Sequence, residues 1–539
     1  MKFGETSVDE AAGAILAHGV SCGDRTFKKG RVLSDGDLAM LRAGGIESVV
    51  AARLEPGDIG EDEAAHAIAT AAAGAKLNAT EAFTGRVNLF AGARGLAVYD
   101  PGLLDRINRI DESITIAALP PYAPVEPRQM VATIKIIPFA VPGDVLDSCL
   151  KEIEAAGGLF QVAPFAAHRV GLVQTTLPGM RDKLLDKTLA VIRGRVESLG
   201  GTLEGETRCP HAADSVASAI RDWRGRGCDM VLVMGASAIT DRRDVIPAAI
   251  EAAGGSVDHF GMPVDPGNLM LIGHDGAAPV LGLPGCVRSP KVNGFDWVLQ
   301  RFAAGLEVTK GDVMAMGAGG LLTEISARPL PRAEACAPAP LPRAPRIAAV
   351  VLAAGQSRRM GAVNKLLAEI GGTPMVAQVV DVALASQARP VIVVVGHEAQ
   401  RVREALTGRD VLFVDNPGYA DGISTSLRHG LRALPRGTDG ALICLGDMPR
   451  VAPEQLDRLI AAFNPVEGRA ICVPTVHGKR GNPVLFARRF FEEMESVSGD
   501  VGARHLIGEA PELVCEVEMA DGGVLLDIDT PQALARVRE

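Results

Sequence analysis

The chain has 539 residues, a length that suits about three domains of ordinary size. Its hydrophobic content of 47% supports extensive cores, and its net charge of −10 argues against non-specific binding to nucleic acid. Nine scattered cysteines without Cys-x-x-Cys spacing argue against a zinc or disulfide scaffold, and no run of about 18 apolar residues occurs, so we expect a soluble, cytoplasmic protein.

The first 327 residues predict two different kinds of structure. Residues 1–165 combine helical patterns, mainly before residue 90, with an apolar and β-branched run at 130–141, which indicates an accessory α+β region. Residues 166–327 alternate short apolar strands with amphipathic helices, which indicates an α/β domain with a parallel sheet. The predicted strands of this second region span residues 171–175 and 229–234, and its predicted helices span residues 180–199, 212–224 and 245–253.

A proline-rich segment at residues 328–346 forms the clearest boundary in the chain. Its six prolines are incompatible with a regular helix or a central strand. We therefore expect an exposed linker between the N-terminal regions and a C-terminal domain of residues 347–539.

The C-terminal domain predicts a doubly wound, mostly parallel sheet, so that the chain should contain two Rossmann-like units. Its apolar strands alternate with helices, and ligands of such sheets bind beyond the carboxyl ends of the strands. The predicted strands span residues 347–352, 391–395, 411–414, 441–445, 470–473 and 524–528. The predicted helices span residues 374–386, 397–406, 424–434 and 453–463.

The loop after the first of these strands has the composition of a triphosphate-binding loop. Residues 352–361 read Leu-Ala-Ala-Gly-Gln-Ser-Arg-Arg-Met-Gly, and Asn364 and Lys365 follow. Glycines let backbone N–H groups approach phosphates, and the cationic side chains neutralise them. The Gly-x-x-x-x-Gly-Lys-Ser/Thr pattern of P-loop enzymes is absent, which favours nucleotide transfer over phosphoryl transfer.

Two aspartates follow other strands of the same predicted sheet. Asp447 could be a turn or helix-cap residue or, opposite a triphosphate, a ligand of Mg²⁺. Asp529 could be a second metal ligand or the cap of a terminal helix that begins at Pro531. Both interpretations of Asp529 are equally compatible with the sequence.

The turn at residues 416–422 precedes another helix start. Asn416 and the following Ser424 offer polar groups beside helix N–H groups, which suits an anionic or heterocyclic ligand. Simple capping of the helix by Ser424 explains the same sequence, so both interpretations remain open.

The order of these motifs resembles that of the molybdenum cofactor cytidylyltransferases, which belong to the nucleotidyltransferase family related to molybdenum cofactor guanylyltransferase. The matching motifs lie at residues 352–361, 364–367, 416–427, 445–449, 481–483 and 527–531. The resemblance implies catalysis by Arg359, Lys365 and Asp447, with Mg²⁺ held by Asp447 and Asp529. It implies a nucleotide site that includes Leu352, Ala353, Ala354, Gly355, Ser357, Asn416 and Ser424.

The same resemblance implies both the nucleotide and the reaction. In the family, Ala-Ala after the leucine accompanies cytidine and Gly-Gly accompanies guanosine, so Ala353 and Ala354 imply CTP. The terminal phosphate of molybdopterin, which carries molybdenum, attacks the α-phosphorus of CTP, and pyrophosphate leaves. A phosphate nucleophile is already ionised near neutral pH, so alignment and charge neutralisation suffice for catalysis.

Residues 168–310 resemble the molybdopterin-binding fold shared by molybdopterin adenylyltransferase and molybdopterin molybdenumtransferase. Residues 1–165 more weakly resemble the accessory regions of the molybdenumtransferase. The resemblance rests on a strand that ends at Gly235 with acidic residues after it, and on the Gly-Leu-Pro-Gly turn at 282–285. It implies molybdopterin binding by Gly235 and Asp244, although ordinary α/β turns explain the same residues.

The chain departs from that second family at the turn where the family has a lysine. Val264 and Asp265 stand before Pro266, so a cation is lost and a carboxylate is gained near the expected phosphate site. The departure favours binding of molybdopterin over transfer chemistry in this region.

Together these features predict a fused enzyme of molybdenum cofactor maturation. We expect Mg²⁺ as cofactor, CTP and molybdopterin as substrates, and a molybdenum hydroxylase as the recipient of the product, with no nucleic acid or membrane partner. A cytidylyltransferase for another phosphorylated acceptor is one alternative, because the nucleotide loop does not specify the acceptor. A protein that binds the cofactor and delivers it to a molybdenum hydroxylase is the other.

Overall fold

The computed structural model describes residues 1–23, 25–321, 343–356, 364–496 and 503–538. Two predicted site residues, Ser357 and Arg359, lie outside the described residues. None of the described helices is long and apolar enough to cross a membrane. The described cysteines are free thiols, and Cys149, Cys228, Cys444 and Cys472 are buried.

Residues 1–165 form several small antiparallel sheets with helices packed against them. The strands are β1 (Lys2–Ser7), β2 (Ile15–Leu16), β3 (Val20–Cys22), β4 (Arg25–Phe27), β5 (Ser48–Arg53), β6 (Asp58–Gly60), β7 (Leu77–Ala79), β8 (Arg86–Ala91), β9 (Gly95–Val98), β10 (Ile114–Ala118), β11 (Pro124–Val125), β12 (Met130–Ile136), β13 (Ala140–Pro142) and β14 (Gln161–Pro164). The helices are α1 (Asp35–Ala43), α2 (Glu61–Ala72), α3 (Pro101–Asn108) and α4 (Gly143–Ala155). Strand dominates before residue 90, where the sequence indicated helix, because pairing between distant segments overrides local helical propensity.

The second unit is a six-stranded sheet in the order β16-β15-β17-β20-β19-β18. Its strands are β15 (Arg169–Thr176), β16 (Thr202–Pro210), β17 (Met230–Met234), β18 (Ser256–Phe260), β19 (Leu271–Asp275) and β20 (Ala278–Leu283). Its helices are α5 (Asp182–Ser198), α6 (Ala213–Gly225), α7 (Val245–Ala252), α8 (Gly294–Ala303) and α9 (Lys310–Met314). The first four strands of the order are parallel, and β19 and β18 complete the sheet in antiparallel register. This is the Rossmann-like α/β unit that the alternating pattern predicted.

The third unit contains the second Rossmann-like sheet, in the order β25-β24-β21-β26-β29-β27-β28 with β30 paired to β27. Its strands are β21 (Ile347–Ala353), β22 (Glu369–Ile370), β23 (Thr373–Pro374), β24 (Val391–Val395), β25 (Leu412–Asp415), β26 (Gly440–Leu445), β27 (Ile471–Val476), β28 (Lys479–Arg480), β29 (Val484–Ala487) and β30 (Val514–Glu518). Its helices are α10 (Met375–Ala385), α11 (Ala399–Ala405), α12 (Ile423–Arg432), α13 (Pro453–Ala462), α14 (Phe491–Ser496), α15 (Arg504–Glu509) and α16 (Pro531–Arg538).

The central strands β24, β21 and β26 of this sheet are parallel and almost wholly buried. Helices cover both faces, so each of these strands reads as a continuous apolar run. β21 lies between β24, reached through α10, and β26, reached through α12. This reversal of strand order opens a crevice at the carboxyl end of β21, where doubly wound sheets bind ligands.

The predicted strand at 524–528 is wrong. Residues 522–525 form a short 3₁₀ helix, and the sheet is instead extended by β29 and β30. Val524 and Ile528 are fully buried, which explains the apolar pattern. Their backbones make single hydrogen bonds to neighbouring loops, from Asn482 N to Val524 O and from Ile528 N to Asp447 O, and do not enter a strand ladder.

The end of the predicted linker contacts the first unit, residues 1–165, and the third unit. Arg343 forms a bidentate ion pair with Asp439, with distances of 2.8 and 3.0 Å, and bridges to Gln129 in the N-terminal region. Arg128 donates to the carbonyl of Pro345 at 2.6 Å. Residues 343–346 are therefore held between the first and third units.

Candidate functional site

The loop that leaves β21 borders a cavity of about 270 Å³ at the carboxyl edge of the third sheet. Ala353 and Ala354 are buried, and Ala354, Gly355 and Leu352 line the cavity. The Ala354 carbonyl accepts a hydrogen bond of 3.3 Å from His397 N at the end of β24. Ala354 is thus among the residues that line the cavity, whereas Ala353 is packed in the core.

The cavity is enclosed by four segments that are far apart in sequence. They are the loop after β21, the turn after β26, the start of α12 and the short 3₁₀ helix at Lys365–Leu367. The other lining residues are Gln356, Lys365, Leu366, Tyr419, Ala420, Gly422, Ile423, Ser426, Leu445, Gly446 and Asp447.

Lys365 joins two carboxylates at one side of the cavity. Its Nζ lies 2.5 Å from Asp447 Oδ2 and 2.6 Å from Asp529 Oδ1. Burial disfavours the ammonium, but attraction to Asp447 and Asp529 outweighs it and raises the pKa of Lys365. Lys365 therefore stays charged at neutral pH, although its side chain is only 14% exposed.

Asp447 offers an oxygen suited to a cation. Within the part of the chain that the structure describes, Asp447 Oδ1 is buried and accepts no hydrogen bond. A buried carboxylate oxygen without a hydrogen-bond partner is energetically unfavourable unless a cation binds it. Asp529 stands across Lys365 from it, and carboxylate oxygens such as these are the donors that Mg²⁺ takes in proteins. The residues present thus fit a divalent cation.

Gly446 allows the turn after β26 to pack closely against β21. A Cβ at Gly446 would lie 2.9 Å from the carbonyl oxygen of Leu352, closer than such contacts normally come. The turn that holds Asp447 can therefore approach β21 only because residue 446 has no side chain.

The start of α12 is organised by Asn416. Its buried amide donates to the hydroxyls of Thr425 and Ser426, both at 2.9 Å, and its Oδ1 accepts from Gly418 N at 3.0 Å. Gly422, with φ of 109°, occupies the N-cap position, so Ser424 does not cap the helix and is buried in its first turn. Asn416 and Ser424 lie behind the cavity wall, whereas Gly422 and Ser426 line it.

The alternative role for Asp529 as a helix cap is filled by another residue. The hydroxyl of Thr530 accepts from Ala533 N at 3.2 Å at the start of α16. Asp529 points to Lys365 at 2.6 Å instead, 38% exposed at the rim of the site.

Gly235 and Asp244 lie in the second unit, at the carboxyl end of its sheet. A Cβ at Gly235 would lie 2.5 Å from Ser237 O, so this turn requires glycine. The Asp244 carboxylate caps α7, accepting from Val245 N at 2.7 Å and from Thr240 N at 3.1 Å. The half-buried Arg288, which no sequence motif indicated, donates to the Gly235 carbonyl at 3.1 Å.

Some cavity residues were not selected from the sequence. Tyr419 follows β25 within the turn at 416–422, and its ring lies 5.8 Å from that of His397. An aromatic residue in a glycine-containing turn was the available signal. Gln356, Gly446 and Ser426 carried no signal beyond their proximity to selected residues.

Comparison with known proteins places the similarity in two segments of the chain. Residues 349–514 match the family described as MobA-like NTP transferase domain, and residues 5–53 match a domain of unknown function. The chain is 29% identical over 208 residues to the purine catabolism protein PucB of Bacillus subtilis, covering 36% of this chain and 98% of that protein. It is 34% identical over 138 residues to the bifunctional protein GlmU of Stutzerimonas stutzeri, covering 24% of this chain and only 29% of that protein.

Two solved structures are similar to the same part of the chain. Rv0371c from Mycobacterium tuberculosis is 32% identical, with a TM-score of 0.32, covering 36% of this chain and 98% of that one. A nucleotidyl transferase from Methanothermobacter thermautotrophicus is 27% identical, with a TM-score of 0.33, covering 36% of this chain and 96% of that one.

Proposed function

We propose that this chain, whose residues 349–514 match the MobA-like NTP transferase domain, transfers CMP from CTP to molybdopterin that carries molybdenum. The products are the cytosine dinucleotide form of the cofactor and pyrophosphate. The observation that carries the proposal is the cluster of Lys365, Asp447 and Asp529 at the cavity beside the loop after β21.

The reaction forms one phosphorus–oxygen bond and breaks another. A terminal phosphate oxygen of molybdopterin attacks the α-phosphorus of CTP, and the bond from that phosphorus to the oxygen bridging the β-phosphate breaks. Lys365 neutralises charge on the phosphates and on the departing pyrophosphate, and its raised pKa keeps it in the required form. Arg359, in the same loop, is proposed to act with it.

Asp447 and Asp529 are proposed to hold Mg²⁺. When bound, the ion would neutralise phosphate charge and polarise the α-phosphorus. Asp447 Oδ1 supplies a buried oxygen that is already desolvated and oriented by the turn after β26. Lys365, relieved of part of its pairing with the two carboxylates, would then be available to the phosphates.

The choice of CTP rests on the loop after β21. Ala354 lines the cavity beside Leu352 and Gly355, whereas Ala353 is packed in the core. Ser357 would add a hydroxyl from the same loop. Asn416 and Ser424 are proposed to support the nucleotide indirectly, by fixing the first turn of α12.

The second unit, residues 166–327, is proposed to bind molybdopterin, with the first 165 residues as an accessory region. The glycine turn at Gly235 and the Asp244 cap form a tight loop at the carboxyl end of its sheet, where α/β units bind ligands. A linker at 328–346 would hold this unit near the third, at an effective concentration of roughly the mM range. A molybdenum hydroxylase is the proposed recipient of the product.

The direct test is turnover with defined substrates. The full-length protein is incubated with molybdenum cofactor, Mg²⁺ and each of CTP, GTP and ATP, and pyrophosphate and dinucleotide are quantified. We expect cytosine dinucleotide to predominate. If no dinucleotide forms with CTP and no pyrophosphate is released, the proposal is wrong.

A second candidate function is binding and delivery of the cofactor without turnover. The similarity that covers 98% of PucB, a protein named for purine catabolism, favours a role coupled to a catabolic enzyme. Retained binding of the cofactor without pyrophosphate release, unchanged in Asp447→Ala, would support delivery over transfer.

A further inference from the structure

A second cavity lies at the end of β21 opposite to the one that Lys365 and Asp447 border. It measures about 660 Å³ and lies where the first unit, the end of the linker and the third unit meet, and we call it the junction cavity. Its walls come from β7 and β8, from the end of the linker, and from residues beside α10 and α13. Ile347 at the start of β21 lines the junction cavity, whereas Leu352 near the other end of β21 lines the first cavity. The two cavities therefore lie at opposite edges of one sheet.

The junction cavity has an excess of positive charge. Among the described residues that line it, Arg128 and Arg389 are the charged ones. Burial lowers the pKa of Arg128, and repulsion from Arg346 and Arg343 lowers it further. Asp439, the carboxylate that opposes this effect, is already engaged in the bidentate pair with Arg343. A partly buried guanidinium among like charges favours an anion as its partner.

Arg128 offers hydrogen-bond donors to such an anion. Its side-chain bonds to the carbonyls of Ala344 and Pro345 both leave from Nη2. Within the residues that the structure describes, its Nε and Nη1 make no hydrogen bond. Arg389 differs, because its guanidinium donates to several carbonyls around the end of α10. Arg128 is therefore the cation in this cavity that can bind an anionic group in two-point fashion.

The backbone fixes the position of Arg128. Its φ of 71° lies in the left-handed region, which residues other than glycine adopt rarely. Arg128 N donates to Ala91 O at 2.7 Å, and Arg128 O accepts from Ala344 N at 2.8 Å, so a strand of the first unit and the linker both hold it. Such conformations concentrate at ligand sites, where the surrounding structure maintains them.

The rest of the lining includes aromatic residues and uncharged polar residues. Phe90 of the first unit and Phe463 of the third unit are both among the lining residues, and aromatic side chains suit contact with a flat heterocyclic base. Amides and hydroxyls can pair with the hydroxyl groups of a sugar without adding charge. The uncharged polar residues of the lining are Asn78, Thr80, Asn88, Ser386 and Gln387. The lining thus suits a ligand that combines a flat ring, a sugar and one anionic group.

We propose that the junction cavity is a second ligand site, which binds a nucleoside monophosphate independently of the transfer reaction. The base lies beside Phe90 and Phe463, and the phosphate pairs with Arg128. A monophosphate fits better than a triphosphate for two reasons. Arg389 is committed to α10, and none of the described lining residues is a carboxylate that could hold the Mg²⁺ of a triphosphate.

Equilibrium dialysis of the full-length protein with radiolabelled AMP tests the site. CTP and Mg²⁺ are present at saturation, so that the first cavity is occupied. We expect saturable binding of AMP. Adenosine, which lacks the anion, and inorganic phosphate, which lacks the ring, should each compete at least about tenfold less well than AMP. Absence of saturable AMP binding would overturn the proposal.

Arg128→Met tests the anion contact. It removes the charge and keeps the backbone bonds, and it should weaken AMP binding about 10–100-fold, the loss expected for charge-assisted hydrogen bonds. The matched variant Arg109→Met changes a side chain of the same unit that is 78% exposed, and it should bind AMP as the parent protein does. Equal AMP affinity in the two variants would contradict the role of Arg128.

Ala79→Trp tests the cavity while Arg128 stays in place. Ala79 is exposed on β7 and lines the junction cavity, so a larger ring at this position occupies the space with little effect on folding. It should weaken AMP binding at least about tenfold, because the ligand and the new side chain clash. Ala12→Trp, at an exposed position outside the lining, is the control and should bind AMP normally.

The outcomes separate this site from the transfer proposed above. Far-UV circular dichroism confirms that each variant folds. AMP binding that CTP displaces, and that Arg128→Met and Ala79→Trp leave unchanged, would place AMP in the first cavity and overturn the proposal. A parent protein that binds AMP in the junction cavity, yet releases no pyrophosphate with CTP and molybdenum cofactor, would retain this site and refute the transfer.

Discussion

At the scale of single residues, Lys365 is the centre of the candidate site. It connects the 3₁₀ helix after the β21 loop to Asp447 after β26 and to Asp529 before α16. These residues are separated by 82 and 164 positions in the chain. The ammonium group of Lys365 therefore fixes the relative position of both carboxylates. A metal cation bound between them would take the place of part of the positive charge that Lys365 already supplies.

Asp447→Asn tests the residue that carries the proposal. Loss of the negative charge of this proposed metal ligand should weaken Mg²⁺ binding, so that the phosphate charge is less well neutralised and kcat with CTP and Mg²⁺ falls about 10²–10³-fold. The measurement is steady-state release of pyrophosphate.

The matched control for Asp447→Asn lies two positions before Asp529. Asp527 is exposed, and Asp527→Asn should retain the parent rate. Equal losses in both variants would show that general electrostatics, and not the cluster at Lys365, controls the rate.

At the scale of elements, the start of α12 depends on buried hydrogen bonds that precede it. Thr425 donates to the carbonyl of Gly422 at 2.8 Å and also contacts Asn416, so the turn and the helix are locked together. Because Gly422 and Ser426 line the cavity, the same bonds set one of its walls.

Asn416→Ala should loosen this element. It removes two donated hydrogen bonds and one accepted bond from a buried position, which lowers local stability by about 1–3 kcal/mol. We expect faster hydrogen exchange over residues 419–432 and a higher KM for CTP. Asn416→Asp keeps the oxygen that accepts from Gly418 N, so its hydrogen-exchange rate and its KM for CTP should lie between those of the parent protein and those of Asn416→Ala. Unchanged hydrogen exchange in Asn416→Ala would contradict the role assigned to Asn416.

Helix α1 offers a test of pH dependence in another region. Asp37 closes a capping box with Ser34 and forms a bidentate pair with Arg31, at 2.9 Å for both bonds. Burial opposes ionisation, but the hydrogen bonds from Arg31 and Ser34 prevail and lower the pKa of Asp37. A carboxylate with a lowered pKa stabilises the fold above its unfolded pKa of about 3.9, and this contribution is lost as the pH falls through the folded pKa.

Asp37→Asn should therefore destabilise residues 1–53 by about 1.5–3 kcal/mol at pH 6, with the difference shrinking as the pH falls below about 4 and disappearing only below the lowered pKa of Asp37 in the folded protein. Hydrogen exchange of peptides from this segment measures it. Asp35→Asn, on the exposed side of the same helical turn, should have little effect at either pH. A difference for Asp37→Asn that grew on acidification would contradict the sign of the pKa shift.

At the scale of the whole molecule, the apolar cores are separate. The buried residues of two clusters lie within residues 347–539, those of two lie within 166–321, and those of three lie within the first 165 residues. Contacts between the first and third units include polar ones, such as Lys28 Nζ to Val514 O at 2.9 Å and Arg458 to Asp62 at 3.8 Å, and Phe83 of the first unit packs against the edge of the third unit's core. We infer that the units unfold with limited coupling.

Thermal unfolding should accordingly show more than one transition. CTP at 100 times its Kd, with Mg²⁺, should stabilise the third unit by about 2.7 kcal/mol. The midpoint temperature of the third unit's transition should rise by several degrees, and the midpoint temperatures of the other transitions should not change. Differential scanning calorimetry of the full chain measures this. The shift should vanish in Asp447→Asn, and a uniform shift of all transitions would contradict independent units.

The sequence by itself determined the type and order of most elements in residues 166–321 and 347–463. Strands such as β24 and helices such as α7 are specified by local periodicity and burial, so their positions follow from short windows. It also selected Lys365, Asp447 and Asp529, which the structure brings into ion-pair contact. Asp447 follows a strand of the parallel sheet, whose carboxyl ends converge on one edge, whereas Asp529 follows no strand.

Only the tertiary structure decided which contacts those residues make. Asp529 pairs with Lys365 and does not cap α16, Ser424 is buried behind a glycine cap, and residues 524–528 form no strand. A cavity of about 220 Å³, lined by residues of β21, β26, β29, α12 and α15, has no signature in any one segment. Local sequence encodes propensity and burial, whereas pairing partners and cavity walls depend on contacts between segments that lie up to 164 residues apart.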